Sequence, residues 1–220
     1  YYLRDDERFD AYRAAYVEYM ADVFGMLGEE NGTERAQAVL DMETAIAQMH
    51  WTRAESRDRV ASYNPMTLEE LEAYAPGFVW ARFMTALDFA DQDHVVVSQN
   101  TAVQSLAALF QEIPLDTWKD YLALHYMHSN ANELDDAFYD LDFAFWSRTL
   151  SGTEEPRERD RRGIQYVNGP LGQAIGRIYV ERHFPAESKS EMEELVDYLR
   201  RALCDRIASP EGLDDETRAG

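Results

Sequence analysis

Between residues 6 and 27 the apolar side chains Phe9, Tyr12, Tyr16, Tyr19, Met20, Val23, Phe24 and Leu27 recur every three or four positions. That period lines them along one face of a helix, and Gly28 supplies a natural C-terminal stop. A second helix is expected from Thr33, placed as its N-cap, through Val39, Leu40, Ile46 and Met49 to about Trp51. Asn64 and Pro65 read as a turn. Thr67 followed by Glu70 forms a capping box for a short helix that Pro76 and Gly77 terminate, and another short helix carries Trp80, Phe83, Met84 and Leu87.

Residues 94–98 are the one strand-like stretch, because Val95, Val96 and Val97 are adjacent and β-branched, but five residues support only an isolated extended piece. Helical spacing resumes at Val103, Leu106, Ala107 and Phe110, halts at Pro114, and restarts after Asp116 with Trp118, Tyr121, Leu122 and His125. A loop follows at 129–132. The next amphipathic stretch carries Leu134, Phe138, Leu141, Phe145 and Leu150 and ends at Ser151 and Gly152. Asn168, Gly169 and Pro170 are expected to break or kink the following helix, which Pro185 ends. Ser188 with Glu191 reads as a second capping box, opening a last helix through Met192, Leu195, Val196, Leu199, Leu203 and Ile207 that stops at Ser209 and Pro210. The pattern predicts an all-α fold of about nine helices with at most one short isolated extended segment. No linker rich in Gly, Ser and Pro divides it, so residues 1–220 read as a single helical domain.

Composition narrows the partners. The 220 residues carry 42 acidic against 21 basic side chains, a formal charge of -21, whereas contact with nucleic acid needs clustered Lys and Arg. Nucleic acid and anionic membranes are therefore poor partners, and the acidity reads first as a solvated surface, with attraction of cationic peptides as the alternative. No apolar run reaches bilayer-spanning length, so this segment is not expected to insert in a membrane. The first residues lack the basic start and apolar stretch of a signal peptide, which leaves either a cytosolic protein or an N-terminus that lies upstream. A single cysteine, Cys204, forbids an intrachain disulfide framework and is expected to be a buried, inert thiol.

The residue patterns assign no catalytic, cofactor-binding or metal-binding residue. A zinc peptidase needs two His one helical turn apart with a Glu between them, as in H-E-x-x-H, and that motif is missing. The nearest approach is His125 and His128, spaced to chelate on one helix but without an acidic residue at a diagnostic distance, and better read as an ordinary pair near a helix end. His50, His94 and His183 stand alone in the sequence. Gly169, Gly172 and Gly176 lack the strand and the Lys-Ser/Thr ending of a phosphate loop and are expected to serve close helix packing. Trp51, Trp80, Trp118 and Trp146 are expected in the core, with lining of a ligand cavity as the alternative.

Several segments, taken in order, resemble the N-terminal region of the neprilysin-like zinc metallopeptidases (peptidase family M13). They are Tyr-Tyr-Leu-Arg-Asp at 1–5, Trp-Thr-Arg-Ala-Glu-Ser-Arg-Asp at 51–58, Tyr-Asn-Pro-Met-Thr-Leu-Glu-Glu-Leu at 63–71 and Ala-Pro-Gly-Phe-Val-Trp at 75–80. Val-Val-Val-Ser-Gln at 95–99, Pro-Leu-Asp-Thr-Trp-Lys-Asp-Tyr-Leu at 114–122, Phe-Ala-Phe-Trp at 143–146 and Leu-Ser-Gly at 150–152 continue the series. The clearest block is Val-Asn-Gly-Pro-Leu-Gly-Gln-Ala-Ile-Gly-Arg-Ile-Tyr-Val-Glu-Arg-His-Phe-Pro at 167–185. Two positions depart from the family's pattern: Asn100 stands where proline is frequent, and Gly212-Leu213-Asp214 where a Trp-Met pair is frequent.

The resemblance implies a helical, non-catalytic lid that faces a thermolysin-like catalytic domain of the same protein across a chamber entered by oligopeptides. It places the zinc ligands and the general base in the region that follows, so this chain alone is expected to be inactive and to hold no cofactor, zinc belonging to the parent enzyme. It also implies an extracytoplasmic location. A stand-alone helical module that binds peptides or proteins without cutting them is the competing expectation.

Overall fold

A computed structural model describes residues 1–208, which divide into two compact units, Tyr1–Pro156 and a second that begins at Arg157. The expected all-α architecture is observed, with nine α-helices among the described residues.

In the first unit α1 spans Glu7–Met26, capped by Asp6, whose carboxylate accepts from the Phe9 N–H at 3.2 Å. It ends where Gly28 turns into left-handed backbone at φ 77°. α2 spans Gly32–Met49. Its cap is not Thr33, which lies inside the helix. The chain enters instead through Asn31 in left-handed backbone, without a side-chain cap. The reason is proximity: a Cβ on Gly32 would sit 2.8 Å from the Ala21 carbonyl oxygen, so α2 starts hard against α1 where only glycine fits.

The turn expected at Asn64 and Pro65 opens instead into a short strand, β1 (Pro65–Thr67), which pairs antiparallel with β2 (His94–Val96). The valine run is therefore not isolated; an earlier strand, with Pro65 opposite Val96 and Met66 opposite Val95, satisfies its backbone. The Thr67–Glu70 capping box forms as expected and starts α3 (Leu68–Tyr74). α4 (Trp80–Ala86), α5 (Asn100–Glu112) and α6 (Leu115–Asn130) follow. Asn100 begins α5, so the departure from proline falls at a helix start.

α7 (Asp136–Asp142) runs directly into a π-helical segment, Phe143–Thr149. The sequence pattern leads one to expect a single α-helix here. The wider turn has a consequence for packing, because it lets the consecutive residues Phe145 and Trp146 both reach the rings of Tyr16 and Tyr19 on α1.

The main core of this unit joins Tyr16, Tyr19, Met20, Val23 and Phe24 of α1 to Ala36, Val39 and Leu40 of α2, Leu124 of α6 and Phe145. A smaller core gathers Leu71, Ala75, Val97 and Ala107. Gly77, at φ 111°, lies against α5 so closely that a Cβ would be 2.7 Å from the Ala107 oxygen. The buried carboxylate of Asp120 is held by Arg35 through two nitrogens, Nη2 at 2.6 Å and Nε at 3.1 Å. The guanidinium also pairs with Glu29 and lies 5.2 Å from the centre of the Phe24 ring. This fork ties α2 to α6.

The second unit consists of α8 (Arg159–His183) and α9 (Ala186–Ala208). α8 continues through Pro170 rather than breaking. The preceding residue is Gly169, which has no Cβ to clash with the proline ring, so the usual bar to helical backbone before proline is relaxed. Ser188 and Glu191 are inside α9, which starts two residues earlier, and the Pro185 carbonyl takes the first helical N–H, from Lys189. The expected stop at Ser209 and Pro210 and the departure at Gly212-Leu213-Asp214 lie outside the described residues. Gly169, Gly172 and Gly176 do not serve close packing here, since a Cβ on any of them meets nothing within 4 Å.

Candidate functional site

Two polar triads stand one helical turn apart in the first unit. α1 contributes Tyr16 and Tyr19, three residues apart, and α6 contributes His125 and His128 at the same spacing. Between them lie Glu43 of α2 and Asp142 at the end of α7. Glu43 Oε1 receives the Tyr16 hydroxyl at 3.2 Å and faces His125 Nε2 at 3.0 Å, while the Tyr2 hydroxyl donates to Oε2 at 3.2 Å. Asp142 Oδ1 receives the Tyr19 hydroxyl at 3.0 Å and faces His128 Nδ1 at 2.6 Å. Glu43 is only 6% exposed, so three neighbours satisfying its two oxygens is what its burial demands.

Each carboxylate takes a hydrogen from its histidine, which settles which ring nitrogen carries it: Nε2 in His125 and Nδ1 in His128. The rings also rest on aromatic neighbours, His125 edge-to-face with Tyr121 and His128 stacked on Trp146, both with centroids 4.3 Å apart. In the structure each histidine is held by its own carboxylate through one ring nitrogen, His125 through Nε2 and His128 through Nδ1. Their acidic partners, 82 and 14 residues away, could not be picked from a sequence in which Asp and Glu are everywhere. One signal was available, the matching spacing of Tyr16 with Tyr19 and His125 with His128.

The phenols remain donors over a wide pH range. Burial first, then the Glu43 carboxylate, pushes Tyr16 and Tyr2 far above the ordinary tyrosine range; burial and Asp142 do the same to Tyr19. A phenol whose folded pKa is raised contributes stability that is complete below its unfolded value, about pH 10, and lost as the pH rises above it. Denaturant unfolding is therefore expected to show constant stability from neutral to about pH 9, then a decline of up to ~1.4 kcal/mol per pH unit for each phenol that stays protonated. Tyr16→Phe should flatten that decline by one proton's worth; an unchanged slope would count against the triad.

A second feature is an apolar cavity of about 400 Å³ beside the smaller core. Ile46, Met84, Val95, Val97, Val103 and Leu106 make up much of its wall, and Trp80 belongs to it as well, while His50, Ser98 and Gln99 are its polar members. Of the four tryptophans none is fully buried. Trp51 lies past the end of α2 and donates to Thr101 Oγ1 at 2.7 Å, and Trp80 Nε1 donates to the Ala75 carbonyl at 2.8 Å. Cys204, expected to be buried, is exposed on α9, because the face of α9 that bears it is not covered. His94 opens β2 and His183 ends α8, its ring 5.0 Å from Tyr179.

No three His, Cys, Asp or Glu side chains among the described residues are arranged to hold a metal ion. With no such group, the described residues do not fit a zinc site, which takes three or four ligands of these types. No helix among the described residues is long and apolar enough to cross a membrane.

Comparison with known proteins gives a consistent result. A family model described as peptidase family M13 matches residues 1–220. Endothelin-converting enzyme-like 1 of Homo sapiens is 26% identical over 223 residues, covering 99% of this chain and 29% of its own length. The zinc metalloprotease Zmp1 of Mycobacterium tuberculosis in complex with inhibitor superposes on 100% of this chain and 33% of its own, with a TM-score of 0.79 and 32% identity. Its open state gives 0.78 and 31% over 97% of this chain and 34% of that one. The chain thus spans about a third or less of the length of these relatives.

Proposed function

The chain belongs to peptidase family M13 as its N-terminal part, and from that premise we propose that it is the helical, non-catalytic wall of a zinc-dependent metalloendopeptidase. Its role is steric: it closes a chamber over a thermolysin-like catalytic domain of the same protein, outside residues 1–220, and limits which oligopeptides enter. Zinc and the groups that activate water belong to that other domain, and the protein works outside the cytoplasm.

The observation that supports this most is the state of α8 and α9. Ile164, Val167, Leu171, Ile175 and Ile178 on the first helix are exposed, as are Leu195, Val196, Leu199 and Leu203 on the second. Apolar surface on that scale marks an interaction face, and the catalytic domain is the partner that would cover it. A stand-alone module would leave the same surface in water.

The steric role is testable with the complete gene product and one scissile sequence presented in two ways, as a free oligopeptide and within an exposed loop of a folded carrier protein. Free peptide should be cut faster by tenfold or more, roughly 1.4 kcal/mol in the barrier for each factor of ten. Equal rates on the two would show that no wall restricts access.

A further inference from the structure

The cavity beside the smaller core has a chemistry that none of the roles above uses. Its walls come from α2, α3, α4, β2 and α5 and are almost wholly aliphatic or aromatic. At about 400 Å³ it falls within the range of sites that bury small ligands or large side chains.

The polar end has a fixed hydrogen-bond sense. Gln99 Oε1 accepts from the Trp51 backbone N–H at 2.9 Å, which orients the amide, and the same oxygen lies 3.2 Å from His50 Nδ1. Nδ1 must then carry the hydrogen. Nε2 of His50, a cavity residue, is left as an acceptor, matched to a ligand that brings an N–H or O–H donor on an apolar body.

The segments that adjoin the cavity-lining residues in sequence are acidic. The segment joining α4 to β2, two elements that line it, holds Asp88, Asp91 and Asp93, all exposed and in no ion pair among the described residues. On α3, which lines the cavity through Leu71, Glu69, Glu70 and Glu72 are exposed too. Arg82 is the one Lys or Arg between residues 60 and 118. Across the whole first unit acidic residues outnumber basic ones by nearly three to one.

From the cavity and its adjoining segments together we propose that this is a docking site for a cationic peptide, which inserts one large aromatic side chain, best an indole, between α4, β2 and α5 while its flanking positive charges face the acids of α3 and the α4–β2 segment. The apolar walls take the ring, His50 Nε2 takes its N–H, and the charge excess raises the local concentration of cations. This holds whether or not the chain serves as a chamber wall, because the site is complete within residues 46–106.

The test uses the full 220-residue chain and three fluorescently labelled pentapeptides with a central residue flanked by two charged residues on each side: tryptophan among lysines, tryptophan among glutamates, and alanine among lysines. Fluorescence anisotropy should show the first binding at least about tenfold more tightly than either of the others. Its affinity should fall as salt is raised. Leu106→Gln, at a partly exposed cavity position, should remove the preference for tryptophan over alanine. The triple variant D88N, D91N, D93N should remove the preference for lysine over glutamate, and asparagine suits the left-handed backbone of residue 88. Circular dichroism and the melting transition of each variant confirm that it is folded. Equal binding of the tryptophan and alanine lysine peptides would reduce the effect to general attraction by an acidic protein and overturn the proposal. So would a folded Leu106→Gln chain that keeps its tryptophan preference.

Discussion

Replacing Glu43 with alanine is expected to destabilise the first unit by about 3 kcal/mol, because two phenols lose their acceptor inside the protein and an orphaned buried polar group costs ~1–3 kcal/mol. Tyr16 is 7% exposed, so water cannot replace the lost carboxylate there. Tyr2 is partly exposed and His125 more so, and both recover some of the loss by turning to solvent. For a unit of this size the midpoint of thermal unfolding should drop by roughly 6–12 °C, at ~2–4 °C per kcal/mol. Glu43→Gln keeps an acceptor of the same shape and should cost clearly less. The comparison separates loss of the hydrogen bonds from loss of the charge, and equal costs for the two variants would mean that the charge, not the acceptor, holds the triad together.

The two triads matter because together they fix the relative placement of α1, α2, α6 and α7 with groups that tolerate little misalignment. Packing of Tyr16, Tyr19 and Phe145 alone would allow α1 to slide by a fraction of a turn. Hydrogen bonds to Glu43 and Asp142, one turn apart, do not. Buried polar networks of this kind select one register among several that a greasy interface would accept.

Much of this architecture was legible from periodicity. Tyr16, Tyr19, Met20, Val23 and Phe24 were placed on one face by their spacing alone, and all five are buried. The same reasoning put Leu195, Val196, Leu199 and Leu203 on one face of the last helix, and all four are exposed. Period identifies a face that must be covered; it does not say what supplies the cover. Cys204 was misjudged for this reason, having been assigned to a core that residues 157–208 do not form by themselves.

Local errors had local causes. Pro170 failed to stop α8 because Gly169 removes the clash that usually ends a helix there. Thr33 lost its capping role to the close approach of Gly32 to α1, and such approaches are tertiary facts. Pairing of β1 with β2 joins residues about thirty apart, each too short to be recognised as a strand. The polar triads were hidden most deeply, since their acids are drawn from a chain rich in carboxylates and their partners come from two other helices, α1 and α6.

Residues 1–208 contain two self-consistent cores, an apolar cavity and histidines held by carboxylates, and no three His, Cys, Asp or Glu side chains among them are arranged to hold a metal ion. A protein wall can decide which peptides reach a reaction centre without contributing to the reaction. An all-or-none difference in activity is therefore expected between this chain and the protein of which we infer it to be part. The most direct measurement is metal content together with chelator-sensitive peptide cleavage, made on purified residues 1–220 and on the complete gene product under the same conditions. Residues 1–220 alone should carry no stoichiometric zinc and leave the peptide intact, while the complete product should carry zinc and cut it. Stoichiometric zinc in the isolated chain, with cleavage that a chelator abolishes, would contradict the account.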